Sequence, residues 1–438
     1  MELKSISLLG WFTMIAVAWA ISYNRKLFPW RTVIWGVGLQ FTLAVLILKT
    51  PWGGALFDLA GKVIQKLIQF SNEGCKFVFG PLADENLLTE KFGPGNAVIF
   101  AVLVTGTIII VACISSLLYH WGILQRVVHA IAWVMRKIMR TSGSETLSAC
   151  ANIFMGQTEA PLMIRPYIPR LTRSELMTIM VCGMAHIAGG VAAVYANMGF
   201  RAGYPNTAGH LLTASVLNCP AALLIAKIML PETEKSETAA SAPATVPRTT
   251  TNSIDAICRG AGDGFNLALN VIAMLIAFIA MIALANYLYA FAQKEAAYFF
   301  LRADCGKQVA DAMVYAPVTF QNFFGWINAP FAWLMGVPAK DCFNVGQILG
   351  ERVVLNEFVA YLDLTTNAKQ LALDPRSFTI ATYALCGFAN FSSIAIQVGG
   401  IGSLAPERRS EMAKIGFRAM IGGLLAAYMT ASLAGFLL

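Results

Sequence analysis

The chain has 438 residues, of which 57% are hydrophobic and 13% are charged, and its mean hydropathy is +0.63. Soluble domains carry roughly 25% charged residues, so this composition excludes a soluble enzyme as the first interpretation. The net charge of +8 does not indicate nucleic acid binding, because the basic residues stand in short clusters between apolar segments, as in cytoplasmic loops of membrane proteins.

Long apolar segments recur along the chain and predict an all-α polytopic membrane protein. A helix needs ~20 residues to cross a bilayer, and continuous apolar runs are typical of helices rather than of β-barrels. Eight spans are predicted, at residues 6–21, 33–48, 97–118, 176–198, 211–230, 267–284, 377–398 and 415–438. The nine scattered cysteines show no paired spacing, so neither disulfides nor a zinc site is predicted.

Basic clusters set the predicted orientation of the chain. The first apolar run resembles a signal peptide, but Asn24, Arg25 and Lys26 follow it at once, which favours a first span whose exit is held in the cytoplasm. Threading the remaining spans from this point places both termini in the periplasm of a bacterial inner membrane. Every later basic cluster then falls on the cytoplasmic side.

Four segments between the spans have a different character. Residues 55–70 and 125–140 are amphipathic and predict interfacial helices on the outer and the cytoplasmic side. Residues 231–252 are rich in Pro, Thr, Ser and Ala and predict a flexible cytoplasmic linker. Residues 320–337 contain two tryptophans and predict an aromatic element at the outer side.

Two apolar segments are interrupted by polar centres. Residues 145–167 contain the sequence Gly-Gln-Thr-Glu-Ala-Pro at 156–161, and residues 344–364 contain Asn356 and Glu357. Each segment is too short to cross the bilayer twice and too polar in its middle to face lipid. We therefore expect two re-entrant hairpins.

The same pattern follows both interrupted segments. Arg-Ser and then Cys-Gly-x-Ala and a polar residue occur at 173–186 and again at 376–390. Three predicted crossings separate the two hairpins, and this odd number means that the second one enters from the opposite face. The sequence thus predicts an inverted repeat, in which paired discontinuous helices form a site near the midplane.

Glu159 and Glu357 lie inside the apolar hairpins, where an ionised side chain costs at least ~2.5 kcal/mol. Such residues indicate function, although pairing of Glu159 with Arg165, or of Glu357 with Arg352, would be a purely structural alternative. Gln157, Thr158, Asn390 and Ser393 add neutral donors and acceptors. Carboxylates and amides of this kind suit a neutral solute rich in hydroxyl and amide groups.

Three stretches, at 156–162, 356–361 and 384–393, resemble the signature segments of concentrative nucleoside transporters, in matching order along nearly the whole chain. The resemblance implies a homotrimer in the lipid bilayer whose protomers move as elevators. It divides the chain into scaffold (1–124), first transport repeat (125–230), linker (231–264), scaffold helix with outer segment (265–337) and second transport repeat (338–438). The implied function is cation-driven symport of nucleosides such as uridine, adenosine and cytidine, without an organic cofactor.

The resemblance also implies roles for individual residues. Gln157, Thr158 and Glu159 would contact the base, and Glu357, Asn390 and Ser393 would contact the ribose. Val191, on the base side, and Phe388 match apolar positions of the same pocket, although Phe388 also suits plain helix packing.

The coupling ion is the point at which the sequence departs from the pattern. Sodium-coupled members resemble this chain at Asn152, at the backbone of Met155 and at the broken helix that contains His186 and Ile187. A small hydroxyl residue is usual where His186 stands. Na⁺ favours oxygen ligands, so His186 offers its carbonyl rather than its ring; Na⁺ coupling is favoured, with H⁺ carried by His186 as the alternative.

Two other functional classes compete with symport. An intramembrane enzyme would use Glu159 and Glu357 as acid and base, but the sequence has neither a metal motif nor nucleophile spacing to support it. A passive channel would not need paired inverted hairpins.

Overall fold

The computed structural model describes residues 3–92, 99–238, 250–300, 319–367 and 373–438, and all regular structure in these ranges is helical. The α-helices, in chain order, are α1 (Leu3–Ala20), α2 (Trp30–Lys49), α3 (Pro51–Phe79), α4 (Glu85–Phe92), α5 (Phe100–His120), α6 (Ile123–Met139), α7 (Gly143–Ala151), α8 (Arg173–Ala185), α9 (Gly189–Arg201), α10 (Thr207–Met229), α11 (Ser253–Phe300), α12 (Phe320–Leu334), α13 (Cys342–Val354), α14 (Glu357–Asn367), α15 (Pro375–Leu385), α16 (Phe391–Leu404) and α17 (Arg409–Leu437). Short 3-10 helices occupy Gly80–Ala83, Ala160–Arg170, Ala339–Asp341 and Pro406–Arg408. The predicted all-α polytopic fold class is confirmed.

Several helices meet the length and apolarity needed to cross a membrane. Within the described ranges these are Leu3–Ala20, Trp30–Lys49, Arg173–Arg201, Thr207–Met229 and Pro406–Leu437. A sixth span results if Val104–His120 and Ile123–Met139 are counted together, although the two helices are bent by 75° relative to each other. This bend turns α6 away from α5, consistent with the interfacial helix predicted at 125–140.

The core lies around α10 and α17. Helix α17 packs against α1, α8, α10, α15 and α16, and nearly every side chain of α10 is buried. Large apolar side chains are exposed instead on the peripheral helices α2 and α3: Trp30 is 69% exposed, Trp52 84% and Phe77 92%. An apolar exterior around a tightly packed centre is what lipid as solvent allows.

The first interrupted segment folds as a hairpin whose two arms differ. Ser142 and Glu145 form a capping box that starts α7, and Asn152 is the C-cap that follows its last residue, Ala151. The returning arm, Ala160–Arg170, is a 3-10 helix rather than an α-helix. Its sequence carries Pro161, Pro166 and Pro169, and each proline lacks the N–H that an α-helical hydrogen bond needs.

The second interrupted segment folds as α13, a two-residue break and α14. These helices have 13 and 11 residues. A 13-residue helix is only ~20 Å long, while the hydrocarbon core is ~30 Å thick, so neither arm spans the bilayer. The side chain of Asn356 begins α14 by accepting a 2.9 Å hydrogen bond from the backbone N–H of Val359.

A broken helix follows each hairpin, which reproduces the sequence repeat in three dimensions. Helices α8 and α9 are interrupted at 186–188, and α15 and α16 are interrupted at 386–390. The two breaks touch, because the N–H of Phe388 donates to the carbonyl of His186 (3.3 Å). Asn218 on α10 joins them further, since its Nδ2 donates to the carbonyls of Ala185 (2.6 Å) and Cys386 (2.8 Å).

Three segments differ in extent from their predictions. The amphipathic helix expected at 55–70 runs over the longer range Pro51–Phe79, and the span expected at 267–284 is part of the 48-residue helix α11. The linker expected at 231–252 is held at its start, where the carbonyl of Thr238 accepts from Gly143 N–H (2.9 Å). Residues 239–249 of that predicted linker lie outside the described residues.

Candidate functional site

A cavity of about 170 Å³ lies where the two hairpins meet the two broken helices. All eight residues that the sequence assigned to a solute site line it: Gln157, Thr158, Glu159, Val191, Glu357, Phe388, Asn390 and Ser393. The residues come from four separate stretches of chain. The fold therefore brings the predicted set together at one place.

One side of the cavity is organised around the buried carboxylate of Glu357. Its Oε1 accepts from Tyr195 Oη (3.3 Å) and its Oε2 accepts from Asn390 Nδ2 (2.9 Å). The Oδ1 of Asn390 in turn accepts from Ser393 N–H (2.8 Å), which starts α16. A carboxylate has about four acceptor positions, so Glu357 retains capacity for hydroxyl donors from a ligand.

The opposite side is formed by the turn of the first hairpin. Gln157 donates through Nε2 to Ser393 Oγ (3.2 Å), so it connects the two sides of the cavity. Glu159 is exposed, and its Oε2 accepts from Gly156 N–H (3.3 Å). Among the described residues, neither Glu159 with Arg165 nor Glu357 with Arg352 lies within ion-pair distance.

Arg352 instead supports the second broken helix. It is completely buried, and its Nη1 donates to the carbonyl of Ala384, near the end of α15. A guanidinium at a helix C-terminus satisfies carbonyls that have no intrahelical donor.

Tyr195, which the sequence did not single out, lies behind the cavity and contacts the lining residue Glu357. Tyr195 on α9 stacks on Tyr361 of the second hairpin, with ring centroids 4.1 Å apart. The same ring meets Phe358 edge-on at 5.5 Å. Tyr195 thereby fixes the second hairpin against α9 while its hydroxyl holds Glu357. Phe388 lines the cavity and also packs on the core, so both of its predicted roles remain compatible with the structure.

A second cavity, of about 270 Å³, adjoins the first and shares Glu159, Ala188 and Leu267 with it. Its far end is lined by Arg165, Thr250 and Arg259. Arg165 and Thr250 belong to segments predicted to be cytoplasmic. The pair of cavities thus forms a path from the polar site toward the predicted cytoplasmic side.

The four residues assigned to a cation lie beside the first hairpin turn and the first broken helix. Asn152 is 1% exposed and its Oδ1 has no partner among the described residues, nor has the buried Ser148 Oγ one turn earlier. Met155 lines the second cavity, and the carbonyl of the adjacent Phe154 accepts from Gly189 N–H (3.3 Å), just after Ile187. Buried oxygens without donors are what a hard cation requires.

The His186 ring is turned along its own helix. Its Nδ1 bonds to the carbonyl of Cys182 (2.7 Å), and since a carbonyl only accepts, Nδ1 carries a proton. Its Nε2 is buried and makes no hydrogen bond of ordinary geometry to another described residue. The ring supplies no oxygen, so any contribution of this residue to Na⁺ comes from its backbone.

Gln397 is the other residue that the sequence reasoning missed. It is completely buried on α16, and its Nε2 donates to Gln157 Oε1 (3.0 Å) and to the carbonyl of Met180 (3.1 Å). The signal that marks it is an amide side chain in a 14-residue helix whose other polar residues are all serines.

Comparisons with known proteins agree with this geometry. The family profile described as "Na+ dependent nucleoside transporter C-terminus" matches residues 210–435, the corresponding N-terminus profile matches residues 9–82, and the profile "Nucleoside recognition" matches residues 101–200. Over 98% of its length the chain is 40% identical to an uncharacterized transporter of Haemophilus influenzae, covering 96% of that protein.

Two characterised proteins are also similar. The chain is 36% identical to sodium/nucleoside cotransporter 1 of Rattus norvegicus over 99% of its own length and 63% of the relative. It spans 55% to 63% of the length of its curated mammalian relatives. The solved structure of CNTnw in an inward-facing substrate-bound state matches with a TM-score of 0.88 and 36% identity, covering 100% of this chain and 98% of that one.

Proposed function

This chain belongs to the Na⁺-dependent nucleoside transporter family, and we propose that it is a secondary active symporter that imports nucleosides, driven by a cation gradient. Membership of a transporter family rather than an enzyme family removes the intramembrane enzyme as a competing interpretation. The observation that carries the proposal is the convergence of both hairpins and both broken helices on one polar cavity.

In this proposal the two sides of the cavity divide the nucleoside between them. Glu357, Asn390 and Ser393 hold the ribose, because a carboxylate and an amide in fixed orientation match paired hydroxyls. Gln157, Thr158 and Glu159 hold the base, with Val191 and Phe388 against its apolar surface. The hydrogen bonds already made by Glu357 and Asn390 keep both side chains in place before the ligand arrives, which lowers the entropy lost on binding.

The transport cycle that we propose is an elevator. The path through the second cavity to Arg165 and Thr250 corresponds to an inward-facing state. Both repeats, 125–230 and 338–438, would move as one transport domain, and the hydrogen bonds of Asn218 and Phe388 across the two breaks support such joint movement. The remaining scaffold, including the exposed apolar faces of α2 and α3, would contact lipid and the other protomers of a homotrimer in the bacterial inner membrane, with both termini periplasmic.

Na⁺ is the favoured coupling ion because Asn152 Oδ1 and Ser148 Oγ are buried oxygens that accept no hydrogen bond from the part of the chain that the structure describes. Backbone carbonyls of Met155, His186 and Ile187 would complete the ligand set. Proton coupling through His186 is the alternative, and the buried Nε2, which makes no hydrogen bond of ordinary geometry to another described residue, is the observation that keeps it open.

Uptake into sealed proteoliposomes tests the proposal. Labelled uridine and adenosine are offered under an imposed Na⁺ gradient and, separately, under a proton gradient. We expect Na⁺-driven accumulation by the wild type and by His186→Ser, which restores the usual hydroxyl. Accumulation driven by protons alone and lost in His186→Ser would favour the alternative, and absence of gradient-driven uptake for every nucleoside would refute nucleoside symport.

A further inference from the structure

Three side chains form a hydrogen-bonded relay at the base side of the cavity. Gln397 Nε2 donates to Gln157 Oε1 (3.0 Å), and Gln157 Nε2 donates to Ser393 Oγ (3.2 Å). Gln157 lines the cavity, whereas Gln397 stands behind it and is not among the lining residues. Gln397 therefore acts on a ligand only through Gln157.

The relay has a direction that is set at its far end. Gln397 Nε2 also donates to the main-chain carbonyl of Met180 (3.1 Å), which can only accept. This contact requires the NH₂ group of Gln397 to point toward α8 and Gln157. Gln157 must then accept this hydrogen bond through its Oε1, and its own NH₂ group points toward Ser393. The second N–H of that group is left for a ligand in the cavity.

The chain leaves room for this relay at one glycine. A Cβ at Gly183 on α8 would overlap Gln397 Nε2 and would lie 3.1 Å from Gln157 Cβ. Packing therefore explains why a glycine stands at this position of the first Cys-Gly-x-Ala repeat, because any side chain there would displace Gln397 from Gln157.

We propose that Gln397 is a specificity-determining positioning residue, which holds the Gln157 amide so that the cavity presents an N–H donor, and not a carbonyl acceptor, to the nucleobase. This inference rests on the proposed function, because it takes the ligand to be a nucleoside whose base meets Gln157. It adds a residue outside the cavity that decides which base edges are accepted.

The base edges that fit follow from this orientation. Uracil offers the N3–H donor beside the O2 acceptor, and cytosine offers the N4 amino donor beside the N3 acceptor, in the same order along the base edge. A donor from Gln157 beside an acceptor from Glu159 matches either edge after a small shift. If the Gln157 amide were reversed, two acceptors, its carbonyl oxygen and the Glu159 carboxylate, would face the base. Uracil has only one N–H to offer them, whereas the cytosine amino group has two. Reversal therefore penalises uridine more than cytidine.

Two substitutions of Gln397 test the orientation. Gln397→Glu offers at most one hydrogen where the amide offers two. When that hydrogen goes to the Met180 carbonyl, which only accepts, a carboxyl oxygen faces Gln157 and draws its NH₂ group toward itself, which reverses the amide. Gln397→Met keeps the length of the side chain and removes both donors, which frees the amide to rotate. We measure Kd for uridine and cytidine by calorimetry with the purified full chain in detergent and saturating Na⁺.

The readout is the ratio of the two Kd values, which does not depend on how much of a variant is correctly folded. We expect Kd for uridine relative to cytidine to rise roughly tenfold in Gln397→Glu and about threefold in Gln397→Met, as expected for one lost or weakened hydrogen bond. The matched control is Gln40→Glu. Gln40 is an equally buried glutamine on α2 that bonds to Trp11 and Thr430 and does not line the cavity.

Each outcome has a distinct meaning. An unchanged ratio in both Gln397 variants, or an equal change in Gln40→Glu, overturns the proposed role of Gln397 while nucleoside binding itself stands. A wild type that binds neither nucleoside refutes the proposed function and the inference with it.

Discussion

Asn218 joins the two broken helices, and the loss of stability when its side chain is removed can be estimated from its hydrogen bonds. The residue is completely buried on α10, and its Nδ2 donates to the carbonyls of Ala185 (2.6 Å) and Cys386 (2.8 Å). Asn218→Ala leaves two buried carbonyls at helix ends without this donor. A buried acceptor left unpaired costs about 1–3 kcal/mol, so the two carbonyls together should lower stability by about 2–6 kcal/mol.

Thermal unfolding in detergent, followed by intrinsic fluorescence, measures this loss. At about 2–4 °C per kcal/mol for a large domain, Asn218→Ala should lower Tm by about 4–24 °C. Uridine affinity should fall as well, because the same breaks place Asn390 and Phe388 in the cavity. The matched control is Asn197→Ala, which removes a buried asparagine on α9 whose Nδ2 has no partner among the described residues. Equal Tm shifts for the two variants would refute the joining role of Asn218.

Three further predictions concern single side chains. Glu357→Ala should lower uridine uptake roughly 100-fold with an unchanged oligomer by size-exclusion chromatography, because two or more charge-assisted hydrogen bonds to the ribose are lost, and normal uptake would contradict its role. Lys227→Met should lower Tm strongly, since Lys227 Nζ lies 2.8 Å from the carboxylate of the buried Glu145 and an uncompensated buried charge costs about 3–5 kcal/mol. Adding Glu145→Gln should restore part of the loss in Tm, and no recovery in the double variant would argue against the ion pair. Gly387→Ala should impair both folding and uptake because its Cβ would lie 2.7 Å from the Met184 carbonyl, and wild-type Tm and uptake would show that the break tolerates a side chain.

The hairpins could be predicted from sequence because their signal is local. A glutamate or an Asn-Glu pair inside a short apolar run conflicts with a lipid-facing helix, and only a re-entrant or broken element resolves the conflict. The same argument found Glu159 and Glu357, and the resemblance of the surrounding motifs supplied Gln157, Asn390 and Ser393. The structure places all of these residues around one cavity, while their contacts with a nucleoside remain predictions.

The residues that escaped prediction act through partners far away in the chain. Gln397 lies 240 positions from Gln157, and Asn218 lies 168 positions from Cys386. No periodicity or spacing marks such pairs, because they depend on how the two repeats pack. Gln397 still carried a usable signal, since the rule that singled out the intramembrane glutamates applies equally to a glutamine in an apolar helix.

Helix lengths were the other weak point of the sequence reasoning. The amphipathic segment expected at 55–70 continues to Phe79 because the polar residues beyond Phe70 do not interrupt a helix, although they reduce its apolar character. In the first hairpin the prolines were visible in the sequence. Their effect, a 3-10 rather than an α-helical returning arm, depends on the geometry of the turn before them.

The central claim is that a cation gradient drives a nucleoside through the cavity between the two hairpins. It is tested most directly by the inside-to-outside ratio of labelled uridine in sealed proteoliposomes, with an inward Na⁺ gradient, for the wild type and Glu357→Ala side by side. We expect a ratio well above one for the wild type, collapse to one when an ionophore dissipates the gradient, and no accumulation by Glu357→Ala. A wild-type ratio that never exceeds one, or equal accumulation by the variant, would contradict it.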